Sequence, residues 1–150
     1  MAVHIPAPLK AEHEELHAEL ANAIRSGGRS GDAAKEVARL LHPHFVKEEE
    51  YAMPPLGLLV DLAQGRLDQR MAAVLIMTDK LESELPTMLE EHAAVVAALV
   101  VLIDAAGAER KPEVARFAEK LKLHAQTEEQ VLYPAALLVG RYLKARLGRT

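Results

Sequence analysis

The chain of 150 residues contains neither cysteine nor tryptophan, and it has few aromatic side chains of any kind. The absence of cysteine excludes disulfides, thiolate zinc sites, iron–sulfur clusters and cysteine nucleophiles. Two phenylalanines and three tyrosines are its only aromatic residues, whereas half of the chain is hydrophobic and rich in leucine, alanine and valine. This composition favours helices packed on helices over a sheet.

The sequence also lacks the features of several functional classes. Its net charge is −4 with histidine neutral, so we expect no nucleic-acid partner. The longest unbroken apolar run, residues 93–103, is too short to span a bilayer, and the first ten residues lack the apolar core of a signal peptide. No glycine-rich phosphate loop, nucleotide fingerprint or Ser-His-Asp arrangement is present. We therefore expect a cytoplasmic protein without a membrane partner.

Apolar side chains recur at helical spacing along the whole chain. This spacing predicts a first helix over residues 6–25. It predicts a second helix that is capped at its start by Asp32 and ends at Pro54 and Pro55. The segment 56–64 is predicted to form a short helix or an ordered connection.

A long helical pattern covers residues 67–106 and contains Pro86, which either kinks one helix or separates two. Gly107 suits the end of this pattern, and Pro112 begins a last helix. Four main helices with short connections predict an all-α fold. We expect an up-down-up-down four-helix bundle with a kinked or split third helix, formed as a single domain by residues 1–150.

Each main helix carries a histidine on its apolar stripe, and two of these histidines are followed by a glutamate four positions later. A single buried histidine is ordinary in a protein core. Side chains at i and i+4 share a helix face, so each His-Glu pair can reach one centre. Burying four imidazoles and two carboxylates without a cation would carry a large desolvation penalty. The pattern therefore predicts a metal site formed by His13, His44, Glu48, His92, His124 and Glu128.

The two halves of the chain resemble each other. EHEELHAEL begins at Glu12 and EHAAVVAAL begins at Glu91. Each stretch is followed, after nearly the same interval, by an HxxxEE segment and then by a proline. We infer two related helical hairpins that face each other across a pseudo-twofold axis, where a pair of metals could lie.

This pattern resembles the haemerythrin-like family, also called HHE cation-binding domains, over roughly residues 5–140. The resemblance implies a non-haem di-iron site inside a four-helix bundle. The cofactor would be two iron ions with an oxo or hydroxo bridge, although manganese or zinc could also load. By position in the motif, the implied ligands are the six residues named above, with the carboxylates of Glu48 and Glu128 bridging the irons.

One position departs from the oxygen-carrying members of that family, which have HxxxH on the third helix. Here Val96 takes the place of the second histidine, whereas the first helix has HxxxH at His13 and His17. Our hypothesis is that His17 is a fifth histidine ligand and binds the iron near the first helix. The alternative is that His17 lies at the surface or only supports the ligands.

Several glutamates near these positions carry weaker expectations. Glu49 and Glu129 directly follow the bridging glutamates and either orient ligand imidazoles or are solvated. We expect Glu12, Glu50 and Glu91 to be exposed.

The leading functional hypothesis is a protein that binds or senses O₂ or a related small molecule, such as NO or peroxide. One alternative is a di-iron enzyme that breaks down peroxide or serves iron storage or repair. Another is a helical module whose metal is structural. A more open metal site would favour turnover over reversible binding. The apolar run 93–103 is compatible with a buried helix or with a homo-oligomer interface.

Overall fold

The computed structural model describes residues 3–148, most of which are helical. The α-helices of the described chain are α1 Ala7–Arg25, α2 Gly28–Lys47, α3 Leu59–Ala63, α4 Leu75–Ala108, α5 Pro112–Thr127 and α6 Tyr133–Leu147. Wider π turns extend α2 over Glu48–Ala52 and join α5 to α6 over Glu128–Leu132. Short 3-10 turns, Pro54–Leu58 and Gln69–Val74, flank α3.

The long helices pack against one another around a shared interior. Helix α4 contacts α2, α5 and α6, while α1 contacts α2 and α5. Residues 3–148 contain no strand. The prediction of an all-α fold with four packed helical segments is therefore confirmed.

The start of α2 differs from the prediction. The helix begins at Gly28, so Asp32 is not its cap. Glu109, which follows α4, caps the helix instead, because its carboxylate accepts hydrogen bonds from the backbone N–H groups of Arg29 at 2.9 Å and Ser30 at 3.0 Å. A carboxylate satisfies the free N–H groups of a helix start and complements its dipole. A cap so distant in sequence leaves no local signal.

The third predicted helix is continuous. Helix α4 runs through Pro86 to Ala108, so the alternative in which Pro86 splits it is wrong. Pro86 lies on the exposed side of α4. There the Glu82 carbonyl, which lacks its usual donor, can bond to water. Gly107 was expected to end the helix, but it lies inside the last turn of α4. The residue at the C-cap is Glu109.

Three apolar clusters fill the interior, and a polar layer lies between the two largest. The larger cluster includes Val95 of α4, and the smaller one includes Met88 of the same helix. His92 lies between these two residues on the buried face of α4. On α2, His44 follows Leu41 of the larger cluster and precedes Tyr51 of the smaller one. The inward histidines therefore lie where the two apolar clusters meet.

One helical stretch within residues 3–148, Gln69–Ala108, is long and apolar enough to cross a membrane by length and composition. This is weak evidence, because the core helix of a soluble protein passes the same test. The stretch includes α4, whose buried side chains pack in the larger and smaller clusters.

Candidate metal centre

Six polar side chains meet between the two apolar clusters, and each is at most 5% exposed. Their donor atoms form two groups, within which all atoms lie less than 4.8 Å apart. The structure thus brings together six of the seven residues that the sequence predicted as ligands. We call one group the first group, consisting of His44, Glu48, His92 and Glu128. The other is the second group, consisting of His13, His124 and Glu128.

The first group draws its histidines from α2 and α4. His44 Nε2 lies 3.6 Å from Glu48 Oε2, one helical turn further along the chain. His92 Nε2 lies 3.2 Å from Glu128 Oε1. Two imidazole nitrogens and two carboxylate oxygens therefore point toward one small volume.

The second group draws its histidines from α1 and α5. His124 Nε2 lies 3.1 Å from Glu128 Oε2, again one helical turn away. His13 Nε2 lies 3.6 Å from the same oxygen and 3.7 Å from Glu48 Oε1. Glu48 is not counted in the second group, but its Oε1 atom faces His13.

Each glutamate thus presents one oxygen to either group. Glu48 directs Oε2 toward His44 and Oε1 toward His13. Glu128 directs Oε1 toward His92 and Oε2 toward His124. A carboxylate with its two oxygens divided in this way can join two adjacent cations.

A carboxylate lies beside the outer nitrogen of every histidine in the two groups. His44 Nδ1 and His92 Nδ1 each donate a hydrogen bond over 3.0 Å, to Glu91 and Glu129 respectively. His124 Nδ1 likewise contacts Glu12. A donor at Nδ1 leaves Nε2 free to bind a metal and fixes the ring orientation. His13 Nδ1 lies 3.4 Å from a Glu49 carboxylate oxygen, without hydrogen-bond geometry.

These contacts change two of the expectations for the neighbouring glutamates. Glu12 and Glu91 are partly buried at the centre rather than simply exposed. Each precedes a histidine in sequence but serves a histidine on another helix. Glu50 is exposed, as expected, and pairs with Lys80 at 3.5 Å. The signal that could have identified Glu12 and Glu91 is the repeated EH dipeptide of the two halves.

The π turns bring a tyrosine into the first group. In an α-helix, a residue five positions after Glu128 would point about 140° away from it. The π turn instead bonds the N–H of Tyr133 to the carbonyl of Glu128, which places the two residues one turn apart. The Tyr133 hydroxyl then donates to Glu48 Oε2 over 2.5 Å. Helical periodicity could not indicate this residue, because π turns change the register.

The two glutamates titrate as a pair. Burial and the neighbouring Glu128 carboxylate raise the pKa of Glu48 to about 8. Burial alone would raise the pKa of Glu128 as well, but hydrogen bonds from Glu48 and the nearby histidines hold it well below its ordinary value. Two buried carboxyl groups this close cannot both ionise without a cation, so the pair keeps one proton near neutral pH.

The pKa values of two histidines at the centre, His124 and His44, are also raised. Burial lowers the pKa of His124, but hydrogen bonds to Glu128 and Glu12 outweigh it and raise the value to about 9. Burial also disfavours charge on His44, whereas its contacts with Glu48 raise the pKa overall. Protons bound to these histidines therefore balance the negative charge of the carboxylates when no metal is bound.

The chemistry of the unpaired atoms fits metal ions. Within residues 3–148, five buried side-chain atoms have no hydrogen-bond partner: His13 Nδ1, His13 Nε2, Glu48 Oε1, His124 Nε2 and Glu128 Oε2. Such atoms are costly to bury and are rare in folded proteins. Four of the five face the second group, where a cation would accept their lone pairs.

Comparison with known families decides what kind of centre this is. A family model described as the hemerythrin HHE cation binding domain matches residues 4–136. The chain belongs to this family. No curated protein and no solved structure gave a match. Membership in the hemerythrin HHE family implies metal binding, typically of iron, and the buried cluster of histidines and glutamates fits a metal site.

His17 is the one predicted ligand of this HHE domain that the structure does not bring to either group. Its ring stacks on His42 with 5.0 Å between centroids. The Phe45 ring stacks on His13 at 3.9 Å and meets the His17 ring edge-on at 4.9 Å. Phe45 thus contacts both rings, and the ring of His17 is in neither donor group. The described geometry therefore gives the fifth-histidine hypothesis no support. The other six residues carry our proposal.

Proposed function

We propose that this protein holds two iron ions and binds or senses O₂ or a related small molecule, such as NO or peroxide. One observation carries this proposal: each of two buried carboxylates directs one oxygen toward one histidine pair and its other oxygen toward the second pair. His44 and His92 would hold one iron, and His13 and His124 the other. Glu48 and Glu128 would join them, together with an oxo or hydroxo bridge. Manganese or zinc could load into the same donors.

The donor count supports a site with room for a further ligand. Each iron would receive two imidazole nitrogens and two carboxylate oxygens from the six residues. Non-haem iron sites with few protein donors keep positions open for oxygen chemistry. When bound, a pair of irons supplies these open positions and reversible changes of oxidation state.

The surroundings would select a small and uncharged ligand. Leu16, Leu41 and Leu121 pack beside the centre, and each is at most 3% exposed. A surface of this kind excludes bulk water and raises the energy of any bare charge. It therefore favours diatomic gases and small neutral molecules over ions.

One side of the centre offers a route for such a ligand. A cavity of about 190 Å³ is lined by His124, Glu12 and Leu16, among other residues. One water molecule occupies roughly 30 Å³ in the liquid, so a diatomic molecule fits this cavity easily. The cavity borders the second group at His124, and we propose that a ligand enters on this side.

We further propose that the helices run up-down-up-down. Short connections support this arrangement, because helices joined by few residues are usually antiparallel neighbours. Two residues separate α1 from α2, and three separate α4 from α5.

Anaerobic loading with ferrous iron tests the proposed function. We expect two irons per chain, new near-ultraviolet absorption when O₂ is admitted, and loss of part of that absorption when O₂ is removed. An irreversible change, with O₂ release on adding hydrogen peroxide, would instead support the enzymatic alternative. Fewer than one iron per chain would contradict the di-iron proposal altogether. Glu50→Gln is a control that should bind iron as the native protein does, since Glu50 is exposed and pairs with Lys80.

A further inference from the structure

Tyr133 places its hydroxyl among the donor atoms of the first group. Its oxygen lies 3.1 Å from His44 Nε2 and 3.0 Å from His92 Nε2, in addition to the 2.5 Å bond to Glu48 Oε2. Tyr133 is 2% exposed. A buried phenol needs one hydrogen-bond partner, and here its oxygen contacts two imidazoles in addition to a carboxylate, all of which face one point.

The distances match those between neighbouring ligands of one metal ion. Imidazole and carboxylate donors bind at roughly 2.0–2.2 Å, so two donors at right angles around a cation lie about 3 Å apart. The Tyr133 oxygen is at this separation from both imidazole nitrogens. This oxygen would therefore suit a donor to the same cation as the two imidazoles.

We propose that Tyr133 is a further ligand of the cation in the first group, an inference that rests on the proposed iron binding. On binding, the phenolic O–H bond breaks, an oxygen–iron bond forms and the proton passes to solvent. No electron is transferred in this step. Phenolate is a hard oxygen donor and suits ferric iron.

The inference makes the two halves of the centre unequal. With Tyr133 the first group has five protein donors, whereas the second group has four. The residue that stands five positions after Glu48, in the register of Tyr133, is Met53. Its thioether is a soft and weak donor that does not suit ferric iron. The second group has fewer protein donors, and a cavity borders it at His124, so it would be the half that receives an exogenous ligand.

Visible absorption and resonance Raman spectra of the oxidised iron protein test this assignment. The protein is loaded anaerobically with ferrous iron, its metal is counted, and it is then oxidised with ferricyanide. We expect a visible phenolate-to-iron charge-transfer band whose excitation enhances tyrosine ring vibrations. Tyr133→Phe should lose this band and at least nine-tenths of the enhancement.

The other two tyrosines of the chain supply the controls. Tyr51 is buried like Tyr133, but its hydroxyl contacts Met88 Sδ at 3.5 Å. Tyr142 is 38% exposed. The double variant Tyr51→Phe, Tyr142→Phe leaves Tyr133 as the only tyrosine and should keep the full band. This variant tests the assignment even if Tyr133→Phe does not fold.

The outcomes separate the two proposals. Two irons per chain without any phenolate band would overturn the role of Tyr133 and leave the di-iron centre standing. A band that persists in folded Tyr133→Phe, or that is lost in the double variant, would also overturn it. Failure of the native protein to bind iron would overturn the proposed function first.

Discussion

The two halves of the centre share their glutamates but differ in what surrounds them. In the first group, Tyr133 contacts both histidines and Glu48. In the second group, Phe45 stacks on His13, and a cavity lies beside His124. The two similar halves of the sequence therefore differ at the centre: a phenol contacts the first group, and a cavity borders the second group. If the proposed pair of irons binds here, the difference predicts unequal roles for the two metals.

Glu48→Gln should break both halves at once and have the largest effect. Its two oxygens face different groups, and an amide cannot supply a second anionic donor. We expect iron affinity to fall by more than about 100-fold, beyond what loss of a supporting residue costs. Metal counting after anaerobic loading measures the change. If Glu48→Gln still retains two irons per chain, the bridging role is wrong.

Removing one histidine should separate the halves. His92→Ala should leave about one iron per chain and abolish the phenolate band, because His92 and Tyr133 belong to the same group. His13→Ala should also leave about one iron but keep the band. Iron counts and visible spectra of the two variants check this. Identical spectra for both variants would show that the halves are not distinct.

Loss of a supporting carboxylate should have an intermediate effect. Glu91→Gln removes the anionic partner of His44 Nδ1, and such changes typically cost about 10- to 100-fold in metal affinity. Competition with a chelator of known affinity measures the loss. Glu90→Gln, at an exposed neighbouring position, is the control and should bind iron as the native protein does. Equal iron affinities of these two variants would show that Glu91 does not support iron binding through His44.

The pH dependence of stability should differ between metal-free and iron-loaded protein. Folding raises the pKa of His124 from 6.5 to about 9 and that of Glu48 from 4.5 to about 8. The folded state thus binds more protons than the unfolded state. Stability from Glu48 is lost as pH rises from about 4.5 to about 8, and stability from His124 is lost as pH rises from about 6.5 to about 9.

We expect the Tm of the metal-free protein to fall by roughly 10 °C or more between pH 6.5 and 9. The Tm of the iron-loaded protein should hold or rise, because metal binding favours the deprotonated ligands. Thermal unfolding followed by circular dichroism gives both curves. A metal-free Tm that rises between pH 6.5 and 9 would contradict the assigned pKa shifts.

Much of the centre follows from helical spacing alone. His44 and Glu48, and His124 and Glu128, are one turn apart, so a regular helix brings each pair to one face. The position of His17 does not follow from spacing, since it shares the stripe of His13. Its ring stacks on His42 instead, and Phe45 from another helix contacts the rings of both His13 and His17.

The features that sequence patterns missed depend on register changes or on distant partners. Tyr133 reaches the centre only because a π turn shifts the helix register before Pro134. Glu109 caps α2 from the end of α4, about 80 residues away in sequence, whereas helix-start signals pointed to the local candidate Asp32. Helical periodicity is a local signal and carries neither kind of information.

The most direct test of the central claim is a crystal structure of the iron-loaded protein, with anomalous diffraction measured at the iron absorption edge. The account predicts two anomalous peaks per chain, one between His44 and His92 and one between His13 and His124. Each peak should contact one oxygen of Glu48 and one of Glu128. A single peak, or two peaks that do not share these carboxylates, would contradict it.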